Sequence, residues 1–399
     1  MDSLATKSAL TNLALALRYS SESEKSVNAA RRAIEIQPFD GVLHANALLQ
    51  LAIGLTELGK REEARLRLED AFKRFSDAKN ALGIGATEYA LGVFEYRGGN
   101  AKQAETWLKS AHTRFAAEND KPSQAAVMNV LGVMKLDSGA TDDGIRSLRE
   151  AIALFRETSD PTGEAGALLN IGTARQDKCE LADALSAYGE CANAAKVVKN
   201  YALAAFAVGN ESSALLEDGK FVEARQKAQE TLGLCHLVES PEAEGWAHVY
   251  IATAANRQGQ FDEAVRESLL ARQKLQDVNA AGLLAVAMEE ARTAIGTRRL
   301  SDASIILDAA QKTASEPHFE LYLPAVLSVV AELREAEGDV VKTREALTAA
   351  RDMNVRHGIR NCEARRIEQR LAALTATTAG PPRSSARTQS TVPDARAGG

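Results

Sequence analysis

Apolar and polar positions along this chain recur with a period of 40 residues. Large side chains stand at Leu51, Leu91, Leu131, Ile171 and Ile251, with Glu211 in the remaining place of that column. One step later come the small residues Ala52, Gly92, Gly132, Gly172, Ser212 and Ala252. A short polar stretch comes next, then a second small column of Ala64, Ala104, Gly144, Ala184, Ala224 and Ala264. A third contains Ala71, Ala111, Ala151, Cys191, Thr231 and Ala271. Leu68, Leu108, Leu148 and Tyr188 lie between these columns, and Phe75, Phe115 and Phe155 close the pattern. Such spacings put the apolar residues on one face of each of two α-helices. Small residues at fixed points on both helices mean that the backbones approach closely there. The intervening turn carries Gly59, Gly99, Gly139, Gly219 and Gly259, with Cys179 where a further glycine would stand. Glycine suits the left-handed conformation in which a helix stops and reverses. The pattern therefore predicts a helix of about four turns, a tight turn, and a second such helix.

A unit of this kind buries its apolar face only against its neighbours, so the repeat predicts a solenoid rather than several globular domains. We expect about nine helix-turn-helix repeats, starting near residues 7, 45, 85, 125, 165, 205, 245, 284 and 324. In the eighth, "GTRRLSDA" has no turn glycine and the grid shortens by one, so Ala303, Leu307 and Ala310 take the usual roles. Gly338, Leu347 and Ala350 keep the shifted register in the ninth. A capping helix is expected over 359–374, with Ile359, Ala364, Ile367, Leu371 and Leu374 on one face and Arg360, Arg365, Arg366 and Arg370 opposite. Residues 1–374 then form the solenoid. Residues 375–399, rich in Pro, Ser, Thr and Gly, are expected to be a disordered tail.

The columns resemble the tetratricopeptide repeat, which pairs Leu-Gly in its first helix with spaced alanines in its second. "LGVFEYRGGNAKQAETWLKSA" from Leu91 to Ala111 carries the likeness best, and the segments Leu131–Ala151 and Ile251–Ala271 come after it. The opening unit ends in "AIEIQP" at Pro38, where that family often carries proline. The likeness covers about residues 5–357 and implies an all-α, right-handed α-solenoid whose first helices line a concave groove.

Composition narrows the chemistry. A formal net charge of -6 makes nucleic acid a poor partner, because phosphate contacts need clustered Lys and Arg. No apolar run approaches the roughly 18 residues of a membrane helix, and the residues after Met1 do not read as a secretory signal. A cytoplasmic location, without membrane or nucleic-acid partners, is expected. The four cysteines form no C-x-x-C pair and are expected to be free buried thiols. The six histidines are scattered without metal spacing. No metal site, cofactor or catalytic residue is expected.

Candidate binding residues lie on the first helices. Asn170 and Asn210 are equivalent, one repeat apart, and Asn129 lies near the same height in an earlier repeat. An amide donates and accepts, so it can hold the backbone of an extended peptide whatever its side chains. The resemblance implies that use. Internal bridging between helices is the competing role. Asp137, Asp177 and Glu217 form an acidic column two residues before the turn, where a carboxylate opposes the helix dipole at a cost of about 0.3–1 kcal/mol. The column suits either a Lys- or Arg-bearing ligand or plain solvated turns. Trp246 and Tyr250, one helical turn apart, suit an apolar anchor or core packing, and Tyr89 is a further groove candidate.

The expected function is a non-catalytic protein–protein interaction scaffold that holds a peptide or partner helix in its groove. The alternative is a regulatory sensor that responds to a small ligand or signal peptide and acts on an effector in trans.

Overall fold

The computed structural model describes residues 3–19, 22–37 and 41–378. Pro38 and the tail beyond residue 378, expected to be disordered, lie outside the described residues. The chain divides into two compact units, Met1–Ala254 and Ala255–Gly399.

The first unit begins with α1 (Ser3–Tyr19), α2 (Ser23–Ile34), α3 (Gly41–Glu57), α4 (Arg61–Asp77), α5 (Ala81–Arg97) and α6 (Ala101–Ala117). It continues with α7 (Lys121–Asp137), α8 (Thr141–Glu157), α9 (Pro161–Asp177), α10 (Leu181–Val197), α11 (Tyr201–Glu217) and α12 (Phe221–Cys235). Helix α13 (Pro241–Arg257) contains the point of division. The second unit holds α14 (Phe261–Leu275), α15 (Ala280–Gly296), α16 (Leu300–Ala314), α17 (Leu323–Glu337), α18 (Val340–His357) and α19 (Cys362–Thr378). A single 3-10 turn, Glu320–Tyr322, precedes α17.

From α1 to α12 in the first unit, and from α14 to α19 in the second, each helix packs on the next, as in α9·α10 and then α10·α11. First helices also meet first helices: α5·α7, α7·α9 and α9·α11 in the first unit, α15·α17 and α17·α19 in the second. The first helices of each unit thus share one layer. Alternation of this kind defines an all-α solenoid of tetratricopeptide-like repeats.

The expected core columns are buried. Leu68, Leu108 and Leu148 are fully enclosed, and Phe75, Phe115 and Phe155 lie beside them. At Gly172 an added Cβ would come within 2.4 Å of the Tyr188 ring, which explains why that column is small.

Two features differ from expectation. The first helices start about four residues earlier than the apolar pattern suggests, at Ala81, Lys121, Pro161 and Tyr201. Polar N-caps set these starts: Asn80, Asp120, Asp160 and Asn200 accept hydrogen bonds from the backbone N–H groups of Gly83, Ser123, Gly163 and Leu203. Also, the left-handed backbone recurs every 20 residues rather than every 40. Besides the glycine column, Lys79, Asn119, Ser159, Lys199 and Glu239 all have φ between 48° and 56°. From α3 to α13 each helix is thus succeeded by a similar reversal, with glycine at alternate ones except at Cys179. Cys179 (φ 58°) and Arg298 (φ 60°) adopt this conformation too, which confirms the shortened grid in the eighth repeat.

Cys191 and Cys235 are buried free thiols. Cys179 and Cys362 are not free thiols, which corrects the expectation for those two.

Candidate functional site

Every candidate residue lies on a first helix: Tyr89 on α5, Asn129 and Asp137 on α7, Asn170 and Asp177 on α9, Asn210 and Glu217 on α11, Trp246 and Tyr250 on α13. Three of them meet directly. Asn210, Trp246 and Tyr250 line a cavity of about 190 Å³, together with Phe206, Gly209 and Thr231. The Trp246 and Tyr250 rings stack, with centroids 6.0 Å apart and planes inclined by 30°. Phe206 leaves 40% of its surface exposed, which is unusual for a phenylalanine on a packed layer.

A hydrogen-bonded chain connects this cavity to the preceding repeat. The Tyr188 hydroxyl donates to Gln176 Oε1 at 2.9 Å, and Gln176 Nε2 donates to Glu217 Oε1 at 2.8 Å and to Ser213 Oγ at 3.2 Å. Burial pushes the Tyr250 phenol up to about 12; the Ser213 hydroxyl pulls it down, and the Glu217 carboxylate adds to the rise. The phenol is therefore neutral and able to donate at physiological pH.

The acidic column divides by its neighbours. Asp137 accepts a hydrogen bond from the Tyr96 hydroxyl, whose own pKa is raised to about 12 by burial first and then by that contact. Glu217 accepts from Gln176. The residue in the matching position before Asp177 is Leu136, which has no side-chain donor. Asp177 makes no side-chain hydrogen bond or ion pair among the described residues. Although exposed, its carboxyl lies above the usual aspartate range, because surrounding protein displaces part of its water.

The amides show the same openness. Asn170 and Asn210 are half-buried, and neither makes a side-chain hydrogen bond among the described residues. The Oδ1 atom of Asn129 is buried without a partner. Tyr89, by contrast, packs against the cluster of Leu108, Phe115, Val127 and Leu131. Trp107, on a second helix, meets Phe72 edge-on at 6.1 Å and belongs to the packing.

In the second unit the corresponding helix faces satisfy themselves. Arg292 of α15 reaches Glu289 at 2.6 Å and Glu332 of α17 at 3.2 Å. Burial would lower its pKa, and these carboxylates more than offset that, so it stays charged. Asn256 Nδ2 donates to Glu289 Oε2 at 2.9 Å.

Sequence reasoning missed Gly209 as part of the site. The available signal is its column, which elsewhere holds Leu49, Tyr89, Asn129, Leu169 and Val249.

No family model matches the chain, and no curated protein sequence matches it. Among solved structures it is similar to the apo form of RapI, with a TM-score of 0.73 and 12% identity over 88% of this chain and 99% of that one. It is similar to aspartyl phosphate phosphatase F from Bacillus subtilis, with a TM-score of 0.61 and 14% identity over 89% and 94%. A third likeness is to the Rap conjugation gene regulator of plasmid pLS20 in complex with the Phr* peptide, with a TM-score of 0.54 and 14% identity over 88% and 95%. Identities this low establish the shared tetratricopeptide-like fold and no activity.

Proposed function

We propose that this protein is a non-catalytic interaction module that holds an extended peptide, or a partner segment, on the first-helix layer of its first unit. The observation that carries the reading is the pair Asn170 and Asn210. They stand one repeat apart, half-buried, with no side-chain hydrogen bond among the described residues. A polar group held without a partner in a partly desolvated place costs free energy, and a ligand backbone can supply what is missing. Asn129 extends the series toward α7. Asp177 offers an open carboxylate for a Lys, an Arg or an N-terminal amine, and Trp246 with Tyr250 offers apolar surface. Glu217 and Asp137 contribute negative potential, while Tyr89 supports the wall. Each hydrogen bond adds about 0.5–1.5 kcal/mol, so several together are needed for micromolar affinity, about -8 kcal/mol.

A second reading, a regulatory sensor that acts on an effector in trans, is favoured by the likeness to the pLS20 regulator, which is bound to a peptide in its structure. Both readings share one ligand site and differ in the consequence of binding. No cofactor is assigned. A cytoplasmic location and the lack of nucleic-acid and membrane partners belong to the same proposal. The acidic balance supports it, as does the lack, among the described residues, of a helix long and apolar enough to cross a membrane.

The test is affinity capture from a lysate of the source cell, comparing wild type with the Asn170→Ala/Asn210→Ala double variant and identifying retained proteins and peptides by mass spectrometry. Loss of a partner with helical content intact supports the reading. Equal retention by both forms moves binding away from this layer.

A further inference from the structure

Three columns of the repeat change character together around one cavity. Where Phe206 and Trp246 stand, the three preceding repeats carry Ala86, Ala126 and Gly166. Where Gly209 stands, every neighbouring repeat carries a larger residue. Where Thr231 stands, Cys191 occupies the preceding repeat and Ala71, Ala111, Ala151 and Ala271 the others. Elsewhere the residue equivalent to Gly209 fills the space between helices: Leu169 packs against the core, and Val249 is buried. At Gly209 that space is left open, bounded by Thr231 and the Tyr250 ring, each 3.8 Å from where a Cβ would lie. Packing alone would reverse these choices, with a large residue at 209 and small ones at 206 and 246. Instead the side-chain volume has moved from the floor of the cavity to its rim, where Phe206 remains 40% exposed.

We infer that this cavity is a specificity pocket that admits one bulky apolar side chain of the bound peptide, of the Leu, Ile, Met or Phe class, and that Gly209 creates it. The inference rests on the peptide-binding reading above and deepens it. At about 190 Å³ the cavity is smaller than the roughly 300–1,000 Å³ of small-molecule sites, so it suits a single side chain. Its aromatic wall and glycine floor give dispersion contacts to an apolar side chain, and among the lining side chains the amide of Asn210 is the polar group left to be satisfied. Asn210 lies at its edge and can hold the backbone amide of the residue inserted. Asp177, one repeat earlier, sets the charge of the occupant: a peptide with a basic residue on one side of its apolar anchor. The acidic neighbourhood of Glu217 excludes an acidic one.

Gly209 lies within helix α11 at an ordinary helical φ, and a Cβ there meets only van der Waals contacts. Gly209→Leu is therefore compatible with the fold while its branched end fills the cavity. The experiment is selection of a phage-displayed random heptapeptide library on the full chain, wild type against Gly209→Leu, with circular dichroism to verify helical content. Wild type is expected to enrich peptides that combine a Lys or Arg with a bulky apolar residue at fixed spacing. Gly209→Leu is expected to retain the basic preference, to lose the apolar one, and to bind the best wild-type peptide at least tenfold more weakly. Should Gly209→Leu lower the helical content, Phe206→Ala at the exposed rim tests the same wall and is expected to broaden the apolar preference. Enriched peptides without an apolar preference, or with one that survives both substitutions, would overturn the pocket and leave the peptide reading standing. No enrichment on wild type overturns both.

Discussion

Gln176 donates to the carboxylate of Glu217, 41 residues later, at 2.8 Å. Tyr96 stands in the same relation to Asp137. In both cases the donor lies three residues before one turn and the acceptor two residues before the next. Leu136 breaks the series, and the carboxylate it leaves without that partner is Asp177.

Asp177→Asn should weaken binding of a basic peptide about tenfold, the scale of one charge-assisted hydrogen bond. Asp137→Asn, whose carboxylate already has Tyr96, should change it little. Calorimetric titration with one peptide against both variants checks this.

Acidity provides a separate test at the same residue. The Asp177 carboxyl is raised by loss of water, so its ionised form is disfavoured in the folded chain. That cost is present above the folded pKa and gone below the unfolded one, so stability falls as pH rises through the window between them. Asp177→Asn should accordingly raise the thermal midpoint at pH 7, with the gain disappearing in acid. Affinity for a basic peptide should decline on acidification before an ordinary aspartate would protonate.

The turns separate conformational cost from packing cost. A Cβ at Gly139 meets nothing within 4 Å, yet its φ of 81° is unfavourable for an L-residue. Gly139→Ala should cost about 1 kcal/mol, and Lys199→Gly, at φ 56°, should stabilise by about 0.5–1 kcal/mol. Urea midpoints at constant m-value measure both.

Gly172 gives the opposite case, because helical φ is compatible with alanine there and the space is not. Gly172→Ala should destabilise by about 1–3 kcal/mol as Tyr188 is displaced from Gln176. The near-ultraviolet circular dichroism of the tyrosines should change with it.

Glu211 occupies a column otherwise filled by Leu and Ile and is 5% exposed, with Lys227 Nζ at 2.5 Å. Glu211→Leu should be neutral or stabilising, since Lys227 keeps Glu230 at 3.3 Å. Lys227→Met should cost about 2 kcal/mol, because it leaves a buried carboxylate behind. That figure is set below the fully buried case because Lys227 is itself a third exposed. Denaturant unfolding of the two variants distinguishes them.

The order of helices, the register of their small residues and the shortened eighth repeat were legible in the sequence, because close packing between equivalent helices forces the same residue type into the same place every 40 positions. Leu108 and Leu148 are core residues that fill the space left by the missing Cβ atoms of Gly92 and Gly132, as Tyr188 does at Gly172. The polar caps at Asn80 and Asp120 and the left-handed Lys79 and Asn119 were not read, since many residue types tolerate those roles at modest cost. The site was legible only as a set of helix faces. That Asp137 is occupied and Asp177 open, that Tyr89 packs while Asn170 does not bond, and that Gly209 leaves a cavity beneath Trp246 were decided by contacts between repeats. A repeat pattern specifies what each helix presents; the partner across the gap, which settles whether a group is satisfied or available, exists only once the helices are stacked.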